Sequence, residues 1–299
     1  MEIKYTLKKL IEILGKNQFA LLLRIILDRI PVVIIGKDHN EIDNLLNGLI
    51  AMAPHRHEYV FWSDFIENDE YLSLIQEEEN DFNIPRNVFC APPNATKHLF
   101  DKIEKYKGWI IGFDVSNGLT KEGVIINFRK FEEKFLVISI EKNDFKLSLF
   151  GLDNNLNLDF EKKIIEKAIQ KTEIALEKMK RVLKKRIKTP PSNEVMTAIM
   201  RFDVEEERIR TNIFIQEIQT FVHAGIRSLA ILSRIDLLRE LGFNVELSGN
   251  TLLQTIDYDE VDPDRIIQLI QAEYGINFSS CIKGGKIVQV GDRIDGFWG

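Results

Sequence analysis

The chain has 299 residues, 44% hydrophobic and 29% charged, with a net charge of −6. That mixture excludes a disordered chain and leaves room for two ordinary domains. Its two cysteines, Cys90 and Cys281, lie too far apart in sequence for a disulfide framework or a paired-thiolate metal motif.

Residues 6–29 have a helical apolar period through Leu7, Leu10, Ile11, Leu14, Leu21, Leu22, Ile25 and Ile26, with Gly15 as a possible break. The most apolar early stretch, Ala20 to Leu27, is interrupted by Arg24 and ended by Asp28. It is too short to span a bilayer and has no small-residue cleavage site, so the expected location is cytoplasmic. Abundant Ile, Lys and Glu suit a thermophile.

From there strands and helices alternate. Strands are expected at Val32–Ile35, Tyr59–Trp62, Asn87–Cys90, Trp109–Phe113 and Phe135–Ile140, with helices near 40–53, 69–79, 95–106 and 120–133. The strands are continuous apolar runs, as burial on both faces of a mostly parallel sheet requires. With right-handed crossovers this is an α/β, doubly wound domain over residues 1–151. A last antiparallel strand is expected at Phe145–Phe150.

A helical hairpin region follows over residues 152–241. Its first helix, about 159–188, is acidic at its start and basic at its end, and Pro190-Pro191 stops it. The second, about 203–241, has Gly225 as a candidate break, and its apolar positions could pack back on the first as an antiparallel hairpin. Residues 242–299 read as a small α+β domain, hairpin–helix–hairpin. Val245–Leu247 and Leu252–Ile256 would pair around Ser248-Gly249-Asn250, and Ile276–Ile282 with Ile287–Val290 around Gly284-Gly285. Between them Asp262, Pro263 and Gly275 are the start and stop signals of a helix over 263–274.

The stretch IPVVIIGKDHNEIDNLLNGLI, residues 30–50, has the outline of a phosphate-binding strand, loop and helix. Three features extend it: Asn44-Leu45-Leu46-Asn47-Gly48-Leu49; Pro54-His55-Arg56-His57-Glu58 leading to a strand ending Ser63-Asp64; and Lys107-Gly108-Trp109-Ile110-Ile111-Gly112-Phe113-Asp114. Together, over about 32–142, they resemble the secretion-type ATPases of the RecA-like P-loop class. In the register of that resemblance Gly36 alone survives from the Walker A loop. Glu41 stands at the second glycine, Ile42 at the lysine and Asp43 at the hydroxyl residue, while Phe113 replaces the Walker B glutamate beside Asp114. The loss removes the charge that meets phosphate. It also puts Asp38, Glu41 and Asp43 where like charges would repel phosphate by on the order of 4 kcal/mol at intermediate dielectric. The resemblance therefore implies a P-loop-like domain that does not hydrolyse nucleotide. An unrelated α/β domain is the alternative. No cofactor is expected, and Gly36 and Lys37 are the weak candidates for contacting one.

Other constellations have a plain reading beside a functional one. Asp38, Asp64, Asp114 and Glu141 fall near the carboxyl ends of strands, where ligands bind in open α/β sheets, and Asp64 with Asp114 could hold Mg²⁺. Exposed acidic loops are the simpler explanation. His55 and His57 lack a third zinc ligand. Asp257, Asp259, Glu260, Asp262 and Asp264 lack the glycine and twelfth-position glutamate of a calcium loop, and a helix cap explains them better. Lys178, Lys180, Arg181, Lys184, Lys185, Arg186 and Lys188 form a basic run; residues 159–188 carry a net +6 and residues 189–299 a net −7. This run could meet nucleic acid or an anionic membrane, but it has no interleaved aromatics to stack bases and its flanking domains are acidic, so a solvated helix end or a dock for an acidic domain of another subunit is the better reading. Phe297 and Trp298 either close the C-terminal core or insert into a partner.

The leading expectation is a non-catalytic scaffold or regulatory protein that acts through protein–protein contacts and oligomerises. One alternative is a divergent nucleotide- or metal-dependent phosphohydrolase using Asp64, Asp114 and Glu141. The other is a nucleic-acid binder using the basic end of the helix at 159–188.

Overall fold

The computed structural model describes residues 5–60, 68–82, 84–100, 108–116, 118–141, 144–152, 156–186 and 193–283. The chain divides into two compact units, residues 1–222 and 223–299. The sequence reading divides it at 151 and 241 instead.

In the first unit a six-stranded sheet runs in the order β2-β3-β4-β1-β5-β6. Its strands are β1 (Val32–Gly36), β2 (His57–Val60), β3 (Asn87–Ala91), β4 (Ile110–Asp114), β5 (Phe135–Glu141) and β6 (Asp144–Phe150). Every pairing is parallel except β5 with β6. The helices are α1 (Leu7–Leu27), α2 (His39–Ile50), α3 (Asn68–Asn80), α4 (Pro93–Phe100), α5 (Lys121–Phe128) and α6 (Asp159–Arg186). A mixed α/β fold with a mostly parallel sheet is thus present. Asp64 and the expected strand residues beyond Val60 lie outside the described residues.

β1 has all five residues buried because both faces of the sheet are covered. One face holds Val33, Ile35, Phe89, Trp109, Ile111, Phe113, Phe135 and Val137, and meets Ala95 of α4 and Val124 and Phe128 of α5. Phe89 stacks on Trp109 there, ring centroids 4.8 Å apart. The opposite face carries α2 and, next to it, α1. A Cβ on Gly48 of α2 would lie 2.7 Å from the Tyr5 carbonyl oxygen and 3.5 Å from Leu10 of α1. α1 bends at Gly15, whose φ of 70° leaves the helical region. Arg56, buried between the two histidines of the sequence motif, donates to the carbonyls of Ile26 and Leu27 at 2.8 and 3.2 Å. It satisfies the open end of α1.

α6 packs on α1, and α7 is the helix Asn193–Glu240, whose residues Glu217 and Phe221, within the first unit, meet α6. Phe160 meets Phe221 with centroids 4.4 Å apart, and Glu217 pairs with Lys167 at 3.2 Å and with Lys171. These contacts, all within the first unit, run antiparallel. α7 runs unbroken through Gly225, correcting the possible break. The glycine instead permits a close neighbour: a Cβ there would lie 2.9 Å from Leu269 Cδ2.

The second unit contains β7 (Leu247–Ser248), α8 (Gly249–Thr255), α9 (Pro263–Tyr274) and β8 (Ile282–Lys283), with β7 and β8 parallel. The expected hairpin around Ser248-Gly249-Asn250 is corrected to a helix. The Ser248 hydroxyl accepts from the Thr251 N–H at 3.1 Å as an N-cap, and Leu252, Leu253 and Ile256 are buried at helical spacing. The acidic cluster divides between two helix ends. Asp257, at φ 54°, follows the last turn of α8, while Asp262 caps α9 by accepting from Asp264 N–H at 3.1 Å. The expected stop of α9 at Gly275 is present, in the left-handed conformation. The strand expected at Ile287–Val290 lies outside the described residues.

Candidate functional site

β1 and β4 are neighbours, yet the helices that follow them cover opposite faces of the sheet: α2 after β1, α5 after β4. Such a reversal opens a crevice beyond the carboxyl ends of the two strands, where open α/β sheets bind ligands. Asp38 and His39 follow β1, and Asp114 and Ser116 end β4. Asn94, at the start of α4, joins them from β3.

His39 connects the three loops. Its Nδ1 lies 2.8 Å from Asp114 Oδ2 and its Nε2 lies 2.5 Å from Asn94 Oδ1. With both oxygens as acceptors, the ring donates at both nitrogens and is an imidazolium. With the Asn94 amide turned over, the amide donates to Nε2 of a neutral ring. In either state both ring nitrogens are engaged within the chain. Asp114 also accepts from the Ser116 N–H at 2.7 Å. Burial alone would raise the Asp114 carboxyl. The Ser116 hydrogen bonds and those to His39, with the His39 charge, outweigh it and hold the carboxyl below its ordinary value. Nearby, Thr96 Oγ1 donates to Gly112 O at 2.7 Å, fixing α4 to β4.

The first-turn amides of α2 are occupied from within the chain. The connection from β1 to α2 is only Lys37-Asp38. The Asp38 carboxylate accepts from the N–H groups of Asn40 at 2.8 Å and Glu41 at 3.3 Å. Those are the first-turn donors that an anion at a helix N-terminus would use. Glu41, Ile42 and Asp43 all lie inside α2, beyond the loop. Ile42 is fully buried and fills the space above Gly36 and Gly112: Cβ atoms on those glycines would lie 3.0 and 2.5 Å from its side chain. One oxygen of Asp43 is buried without a hydrogen-bond partner. Burial raises its carboxyl, and the His39 charge offsets part of that.

The structure therefore groups Asp38 and Asp114 with His39 and Asn94, which the sequence reading did not single out. Gly36 and Lys37 precede them directly. Glu141 is exposed at the end of β5, across β1 from β4. Among the described residues no three His, Cys, Asp or Glu side chains come together as a metal site. In the basic run, Lys178 and Arg181 are exposed and Arg181 pairs with Glu177 at 3.3 Å. Lys180, Lys184, Lys185 and Arg186 lie on α6, with side chains outside the described residues, as are Phe297 and Trp298. No described helix is long and apolar enough to cross a membrane. No protein-family model, curated protein or solved structure matches this chain.

Proposed function

We propose that this chain is a non-catalytic scaffold or regulatory protein, built on a P-loop-like domain whose phosphate position is held by its own Asp38 carboxylate. The observation that carries this reading is the pair of hydrogen bonds from Asn40 and Glu41 to Asp38. Nucleotide would have to displace a carboxylate from the amides it needs and then sit beside that carboxylate. The His39 bridge supports the same reading. His39 has one nitrogen on Asp114 and the other on Asn94, so neither ring nitrogen is open to take a proton from a substrate in this arrangement.

The domain then acts through protein contacts. We assign the basic end of α6 to the acidic region 189–299 of a second copy, because the opposite charges are carried by separate parts of one chain. Sedimentation velocity over a range of concentrations, with and without ATP and Mg²⁺, tests this. The expected result is self-association that weakens with added salt and is indifferent to nucleotide. A monomer at all concentrations, or assembly that requires nucleotide, would overturn it.

A further inference from the structure

β6 ends the sheet of the first unit, and its pairing with β5 fixes which of its backbone groups are in use. The Leu136 N–H donates to Pro31 O at 2.9 Å, so Leu136 turns its backbone toward β1. Backbone direction alternates along a strand, so Phe135, Val137, Ser139 and Glu141 turn theirs toward β6. Their register partners are Phe150, Ser148, Lys146 and Asp144. Phe145, Leu147 and Leu149 therefore point their N–H and C=O groups away from the sheet. The Asp144 carboxylate accepts from the Phe145 N–H at 2.8 Å, which fits an amide outside the ladder. Among the described residues no backbone group bonds to this edge.

A row of donors and acceptors at strand spacing fits one kind of partner, another extended backbone. The usual guards of an edge are missing. The seven-residue strand pairs without a bulge, holds no proline, and has Lys146 as the one charge inside its ends. Its side chains fix which way up a partner must lie. Phe145 meets Tyr5 on one face with ring centroids 5.1 Å apart, and Phe150 stacks on Phe135 on the other at 4.9 Å. We infer that β6 pairs antiparallel with β6 of a second copy, about a two-fold axis at Leu147, and joins the two sheets into one. This register engages all seven residues. It sets Phe145 opposite Leu149 of the partner subunit, Leu147 opposite the partner subunit's Leu147, and Lys146 opposite the partner subunit's Ser148. Apolar side chains then face apolar ones, and no like charges stand directly opposite. An axis at Lys146 would set two lysines face to face, and a slip of one residue would turn every side chain to the wrong face. This contact adds to the charged one proposed above and does not depend on it.

Sedimentation velocity of the full chain in about 1 M NaCl, where charges are screened within about 3 Å, weakens the charged contact and leaves this one. The native protein is compared with Leu147→Pro. The proline removes an N–H that β5 does not use, as an edge strand tolerates, and slow exchange of the Lys146 and Ser148 amides will report that β6 still lies on β5. The expected result is a concentration-dependent dimer for the native protein and a monomer for the variant. Amide exchange of the native protein, resolved by NMR, gives a reading that needs no variant. The Leu147 and Leu149 amides should exchange about tenfold or more slowly in the dimer than in the diluted monomer. A native protein that is monomeric in high salt would overturn the inference, and if it associates at low salt the charged contact still stands. A dimer that Leu147→Pro leaves intact would also overturn it. So would Leu147 and Leu149 amides protected equally at every concentration, since the edge would then be covered within its own chain.

Discussion

Gly112 and Ile42 give the sharpest test of how the crevice is filled. A methyl group on Gly112 would lie 2.5 Å from Ile42 Cγ2 and 3.1 Å from Pro93 Cδ, well inside van der Waals contact. Ile42 is fully buried and cannot swing away, so Gly112→Ala should cost about 1–3 kcal/mol by overpacking. Ile42→Ala should cost about 2–5 kcal/mol through lost burial and the cavity left behind. In the double variant the new methyl group occupies part of that cavity, so the two costs should fall short of their sum by about 1–2 kcal/mol. Urea unfolding of the four proteins reads this out. A Trp62→Phe/Trp298→Phe background leaves the buried Trp109 as the only tryptophan reporter. Costs that add to within about 0.5 kcal/mol would show that Ile42 does not occupy the space above Gly112, and the account of the filled crevice would fail.

Asp38→Ala should lose about 1 kcal/mol as an N-cap. With its first-turn amides freed, it should gain stability from added inorganic phosphate that the native protein does not, read as a shift of the thermal midpoint. Asp114→Asn should be less stable than the native protein at pH 7 by about 1.5–3 kcal/mol, the range for hydrogen bonds to a charged group. The Asp114 carboxyl is held below its ordinary value, so its contribution is complete above the unfolded value of about 3.9 and is lost as pH falls through the lower folded value. The gap between the two proteins should therefore close below about pH 4, as urea midpoints from pH 7 to 3 would show. Ser248→Ala should cost about 1 kcal/mol in the second unit, with faster amide exchange confined to α8, because the hydroxyl caps a helix and not a hairpin turn.

Much of the fold was legible because strands buried on both faces are apolar without interruption, as in β1 and β5, and because α9 has its start and stop residues in place. The hairpin at Ser248 was misread because serine, glycine and asparagine serve equally as turn and as helix start. Only the buried spacing of Leu252, Leu253 and Ile256 separates the two. Gly225 was misread as a breaker because its reason, Leu269, lies more than forty residues away in sequence. The site was half legible. Asp38 and Asp114 could be placed at strand ends, but their meeting depends on β4 lying beside β1, and strand order is not written in any single strand. His39 and Asn94 escaped notice for the same reason: each is an ordinary loop-to-helix residue until three loops converge.

The most direct test of the central claim is the backbone amide spectrum of Asn40 and Glu41 as ATP and Mg²⁺ are titrated to millimolar concentration. The account predicts that both resonances stay where they are, because the Asp38 carboxylate holds their protons. Saturable movement of those two amides would mean that phosphate displaces Asp38, and the domain would be a working nucleotide site.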